Sequence, residues 1–175
     1  MATTIDITEC GVEPVARLDR FRDAQDSPYD GFESALNEVR SGGKGGHWIW
    51  YVFPQISGLG TSGASKTFAI DGQVEAMEFL RDSDLRSRYL TITEAVAEQL
   101  RAGRPLRVLM GSDIDSKKLV SSLTLFGHVA KQLHDAEGVG AYSSVATVAD
   151  EVLALAATQG YPPCAYTLQR LRGTA

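Results

Sequence analysis

The chain has 175 residues, 43% of them hydrophobic and 22% charged, with a formal net charge of -5. That length suits one domain with a core of its own, and the composition excludes a chain disordered throughout. The acidic balance argues against duplex nucleic acid as a partner, because duplex binders present a basic face and the one adjacent basic pair here is Lys117-Lys118.

Residues 1–12 read as a flexible N-terminal tail, and 13–173 as one helical domain. The tail has no basic n-region and no apolar h-region, so no secretory signal is expected. No apolar run approaches the ~18 residues that a membrane span needs. Cys10 and Cys164 have no Cys or His neighbour at metal spacing, which argues against a zinc site. Two free thiols in a reducing cytoplasm is the favoured reading, with a disulfide tying the two ends together left open.

Pro14 suits a first helical turn, and Val15, Leu18 and Phe21 carry an amphipathic helix to about Ala24. Asp26-Ser27-Pro28 breaks it. Phe32, Leu36 and Val39 predict a second helix to about Arg40, ended by Gly42-Gly43. The apolar run His47–Phe53 is expected to be a short extended or turn-like segment, and 54–70 a loop. Val74, Met77 and Leu80 predict a helix over 72–80. Leu85, Tyr89, Ile92, Val96 and Leu100 predict a long one stopped by Gly103 and Pro105. Leu106–Met110 reads as a strand or a turn.

Ser112 or Asp113 would then cap a helix running through Leu119, Leu123, Phe126, Ala130 and Leu133. Val120, Leu125 and Val129 widen its apolar surface, so this helix is expected to be central. Gly138 and Gly140 read as a loop. Val148, Val152 and Leu155 mark a helix ending near Gly160, Tyr161-Pro162-Pro163 a rigid turn, and Leu168 and Leu171 a short last helix. The expected fold is mainly α: a single-domain helical bundle with Gly-rich irregular insertions.

Three features could carry chemistry. The first is the loop Gly42-Gly43-Lys44-Gly45-Gly46, whose backbone N–H groups and lysine suit an anion. It lacks Walker A spacing, and its plain alternative is a helix C-cap. His47, Trp48 and Trp50 follow. A histidine there could move a proton, and an indole could stack a flat ring, although aromatics are as often core.

The second feature is the loop carrying Gln55, Gly58, Gly60, Ser62 and Ser65, with hydroxyl and amide donors. Gly58-Leu59-Gly60-Thr61-Ser62-Gly63 fits the letters of a dinucleotide fingerprint, but no βαβ frame encloses it. The third is a polar stripe on the central helix, Lys117, Ser121, Thr124 and His128, spaced by four, three and four. Its partners would be loop backbone or a ligand.

The segments Gly43-Lys44, His47-Trp48-x-Trp50-Tyr51-x-Phe53-Pro54-Gln55, Gly58-Leu59-Gly60-x-Ser62-x-x-Ser65 and Lys118-Leu119-x-Ser121-Ser122-x-Thr124-Leu125-Phe126 resemble domain-of-unknown-function family 1810. Its bacterial members are sometimes labelled calpastatin. The resemblance spans about Leu18 to Leu171 and implies a mostly helical single domain and no particular activity. Calpastatin repeats are disordered, and this chain has neither repeats nor a disordered composition.

The resulting expectation is a soluble cytoplasmic protein that binds, or acts on, a small anionic nucleotide-like ligand. Lys44, Trp48, Trp50, Gln55, Gly58, Gly60, Ser62, Ser65, Lys117, Ser121 and Thr124 are the candidate contacts. His47 and His128 are the candidate proton carriers. No metal is expected, and no cofactor is assigned. The alternative is a non-catalytic structural or protein-interaction module in which the aromatic and glycine motif is a folding device.

Overall fold

Helix dominates because apolar residues recur at three- and four-residue spacing over most of the chain. The computed structural model describes residues 14–173. The expected tail and Cys10 lie outside the described residues. Among the described residues ten helices follow in order: α1 (Pro14–Gln25), α2 (Phe32–Ser41), α3 (Ile49–Val52), α4 (Gly63–Thr67), α5 (Gly72–Arg81), α6 (Ser83–Arg101), α7 (Leu106–Met110), α8 (Asp113–Glu137), α9 (Gly140–Thr158) and α10 (Ala165–Arg172). Among the described residues the only β pairing is an isolated parallel bridge between Ile56 and Ile70. The fold is a single-domain, all-α bundle.

Helix α8 is the axis of the bundle. Its residues from Leu119 to Gly127 are all buried, and it packs against α9, α5, α7, α10 and α3. Ser112 caps it, the hydroxyl accepting from the N–H of Asp115 at 3.0 Å. Helix α6 lies against α9 and α2. An aromatic cluster of Phe53, Phe79, Tyr89 and Phe126 joins α5, α6 and α8 to the residue that follows α3. Its ring centroids lie 4.8 to 6.2 Å apart, within the range where edge and offset contacts add to area burial.

Several boundaries differ from expectation. Within the run 47–53, expected to be extended or turn-like, Ile49–Val52 form a helical turn, α3. Trp48, Ile49, Val52 and Phe53 are all buried, a spacing that one helical face satisfies, and among the described residues no neighbouring strand is present to pair with. Leu106–Met110 is likewise a turn of helix, between Pro105 and a left-handed Gly111. Within 54–70 a short helix, α4, appears behind the Ser62 cap. Helix α9 begins at Gly140, earlier than Val148, because Tyr142, Val145 and Ala149 continue its buried face. Small alanines carry little periodic signal yet permit close approach.

Such an approach occurs where α8 meets α9. A Cβ built on Gly127 would lie 3.1 Å from Cβ of Ala149. Gly127→Ala is expected to be near neutral, the helix-propensity gain of about 1 kcal/mol offsetting the tight contact. Gly127→Leu should overpack the crossing and destabilise the fold by about 1–3 kcal/mol. Urea unfolding checks both. A Leu variant as stable as the parent would show that the α8–α9 crossing is loose.

Candidate functional site

A cleft of about 740 Å³ opens between three segments. Trp50, Gln55, Leu59, Gly60 and Thr61 form one wall, continued by Ser62 and Ser65 of the α4 cap. Ile114, Lys117, Lys118, Val120 and Ser121 of α8 form the second. The turn from Gly160 to Ala165, with the Pro162-Pro163 pair, forms the third.

Local bonding explains why these segments meet. The two ends of the 55–70 loop are tied by Ser57 N–H donating to Ile70 O (2.9 Å) and Ile70 N–H to Gln55 O (2.8 Å). Tyr166 of α10 donates its hydroxyl to Ser57 O at 3.1 Å. Gly58 sits under that ring with φ +98°, and an added Cβ would fall 2.0 Å from the Tyr166 oxygen. Only glycine meets both demands. On α8, Ser121 pairs with Thr167 of α10 (3.1 Å), and Thr124 accepts from the N–H of Cys164 (3.1 Å). Two hydroxyls of the polar stripe therefore hold the third wall in place.

The charges form a relay. Asp115 receives Lys44 on one oxygen (2.7 Å) and Lys118 on the other (2.8 Å). Burial works against its charge, but the two lysines outweigh that and hold its carboxyl below the usual range. The Lys118 ammonium also lies 4.4 Å over the Trp50 ring, a cation–π contact. Lys117 makes no ion pair among the described residues.

The Gly-rich loop turns its donors inward. Glu38 of α2 accepts from Gly45 N–H (2.8 Å), Gly46 N–H (2.9 Å) and the Trp48 indole (2.7 Å). Its partial burial favours the neutral acid, but these donors and nearby Lys44 prevail, so its pKa is lowered. The anion that this loop was expected to hold is thus a side chain of the protein itself.

The structure brings together Trp50, Gln55, Gly60, Ser62, Ser65, Lys117 and Ser121 around one cleft. Gly58 lines a small recess beside it. Lys44 lies behind the cleft, 9% exposed, on Asp115 and on Gly46 O. Trp48 is wholly buried, and Thr124 is buried beneath the Cys164 turn. His47 is exposed and His128 half-buried. Neither lines the cleft. The His128 pKa is lowered, by burial first and then by Lys131.

Lys118, Ile114 and the 160–165 turn were missed as wall residues. The adjacent lysine pair was the available signal for Lys118. A rigid Tyr-Pro-Pro turn says nothing about what it packs beside. Among the described residues no cluster of three or more His, Cys, Asp or Glu could hold a metal, and no helix is long and apolar enough to cross a membrane.

This helical fold and motif set define a family. Residues 15–143 match the family described as "Protein of unknown function (DUF1810)", and the chain belongs to it. A solved structure similar to it is the crystal structure of the conserved hypothetical protein Rv1873 from Mycobacterium tuberculosis, 30% identical, with a TM-score of 0.67 over 89% of this chain and 96% of that one. No curated protein matches the chain. The family match ends before the 160–165 turn, so the third wall of the cleft lies beyond it.

Glu38→Ala should cost about 2–3 kcal/mol near neutral pH, since it strips three donors of a charged acceptor. The folded-state pKa of Glu38 is depressed from its ordinary 4.5. Its contribution is therefore present above that value and lost as pH falls through the lower folded-state pKa. Acid titration of stability should show a shallower acid limb in the variant. An unchanged limb would remove Glu38 as the clamp of this loop.

Proposed function

We propose that the protein binds a small anionic ligand with a flat, nucleotide-like body in the cleft between Trp50, α8 and the 160–165 turn. The observation that carries this is the charge of the lining. Among the described residues the only charged side chains on the cleft wall are Lys117 and Lys118, in a chain whose net charge is -5. A concave surface of one sign concentrates ligands of the other. The volume falls in the range of small-molecule sites, about 300–1,000 Å³.

The parts divide by chemistry. Lys117 would meet the anionic end. The Trp50 ring and the proline pair would flank the planar body, and the Gln55 amide, which both donates and accepts, would orient it. With neither histidine on the wall, the reading is binding, with no proton-transfer role given to His47 or His128. A folding role is favoured for the first half of the motif, because Trp48 is wholly buried and bonded to Glu38.

The test is a thermal-shift series with organic anions that carry a flat ring, adenosine monophosphate and aryl carboxylates among them. A ligand at ~100 times its Kd adds about 2.7 kcal/mol, which raises Tm by roughly 5–10 °C for a domain of this size. Trp50→Ala and Lys117→Ala should abolish the shift, while His47→Ala should keep it. A shift that survives both cleft variants, or no shift with any anion, would sink the proposal.

A further inference from the structure

Positive charge in the cleft is sparing. Lys118 shares Asp115 with Lys44 and already rests on Trp50, so it is tied to the wall and its charge is answered in part before a ligand arrives. Lys117 is the one cleft cation without a carboxylate partner among the described residues. Asp113, one helical turn before it, is engaged by the Tyr161 hydroxyl and by Arg107 at 3.6 Å.

Several donors that a phosphate chain could use are committed within the protein. Ser62 donates to the Ser65 hydroxyl (2.9 Å), and Ser65 donates to Ser62 O (2.8 Å). Both hydroxyl protons thus stay inside the α4 cap. The N–H groups of Gly45 and Gly46 are held by Glu38. Much of the remaining wall is apolar: Leu59, Ile114, Val120, Pro162 and Pro163.

We infer, on the binding reading above, that the ligand class is an amphipathic organic monoanion, with one carboxylate on Lys117 and an aromatic body against Trp50 and the proline pair. A polyphosphate would bring several negative charges to a single unpaired lysine, and each charge taken from water without a partner opposes binding. Sugar hydroxyls would exchange water for the apolar wall and lose hydrogen bonds. An aromatic body instead gains from burying its faces.

The test is calorimetric titration of the full chain with four probes at one fixed salt concentration: naphthoate, the neutral naphthamide, ADP and ADP-ribose. Naphthoate should bind one per chain. Naphthamide should bind roughly tenfold weaker or worse, the loss expected for a charge-assisted hydrogen bond. ADP and ADP-ribose should both be weaker than naphthoate. Lys117→Gln should bring naphthoate down to the affinity of the amide and leave the amide unchanged. Lys131→Gln, on the same helix and outside the cleft, should change neither.

If ADP or ADP-ribose binds more tightly than naphthoate and depends on Lys117, the monoanion class is overturned while the anionic-ligand reading stands. If acid and amide bind alike, charge plays no part and both readings fall. Absence of binding by all four probes in the parent protein, with Trp50 and Lys117 intact, removes the ligand reading itself.

Discussion

The constraint on which the rest depends is the burial of α8. Where α8 is enclosed by its neighbours, at Ser116 and from Leu119 to Gly127, no water satisfies its polar side chains, so each must find a protein partner. Ser116 donates back to Ser112 O, and Ser122 pairs with Tyr89. Thr124 donates to Val120 O and accepts from Cys164 N–H. Ser121 pairs with Thr167. The last two bonds draw the end of the chain onto α8, and that places the 160–165 turn opposite Trp50. The cleft is a consequence of satisfying the two buried hydroxyls of the polar stripe.

A second consequence concerns charge. Anion-friendly features in this chain are of two kinds, and the structure uses them differently. The backbone donors of the Gly-rich loop are taken by Glu38, in a cluster that also anchors the Trp48 indole. Lys44 then bridges that loop to Asp115, and Asp115 passes the connection to Lys118 at the cleft wall. Charge inside this relay is mutually compensated, as partly buried charge must be. Lys117, exposed and one residue away, lies outside it. Neighbouring lysines of the same helix therefore have different parts: Lys118 shapes the wall, and Lys117 offers charge to a visitor.

The fold was largely legible because α1, α2, α5, α6 and α8 carry apolar residues at helical spacing with recognisable breakers, and spacing is a local property. The exceptions were local ambiguities. An aromatic run such as 47–53 reads alike as strand and as helical turn, and the alanine-rich start of α9 lacks large apolar markers. In the site, Trp50, Gln55, Ser62 and Ser65 were readable as a polar and aromatic stretch flanked by glycines. The turn at Pro162 was not, because its relation to Trp50 passes through Ser121 and Thr167, residues far apart in sequence.

What the sequence by itself determined is the helical architecture, the central place of α8 and the stretch of chain from which one wall of a site would come. These follow from periodicity, capping and turn chemistry, all of which act within a few residues. What only tertiary structure decided is the assignment of partners. Trp48 and Trp50 stand two residues apart in the same motif, yet one is sealed in the core on Glu38 and the other faces the cleft under Lys118. Lys44 and Lys117 are both lysines beside polar loops, yet one is bound to Asp115 and the other is unpaired among the described residues. Residue type sets what a group can bond to, but the choice among available partners depends on which distant segments the packing of α8 brings within reach.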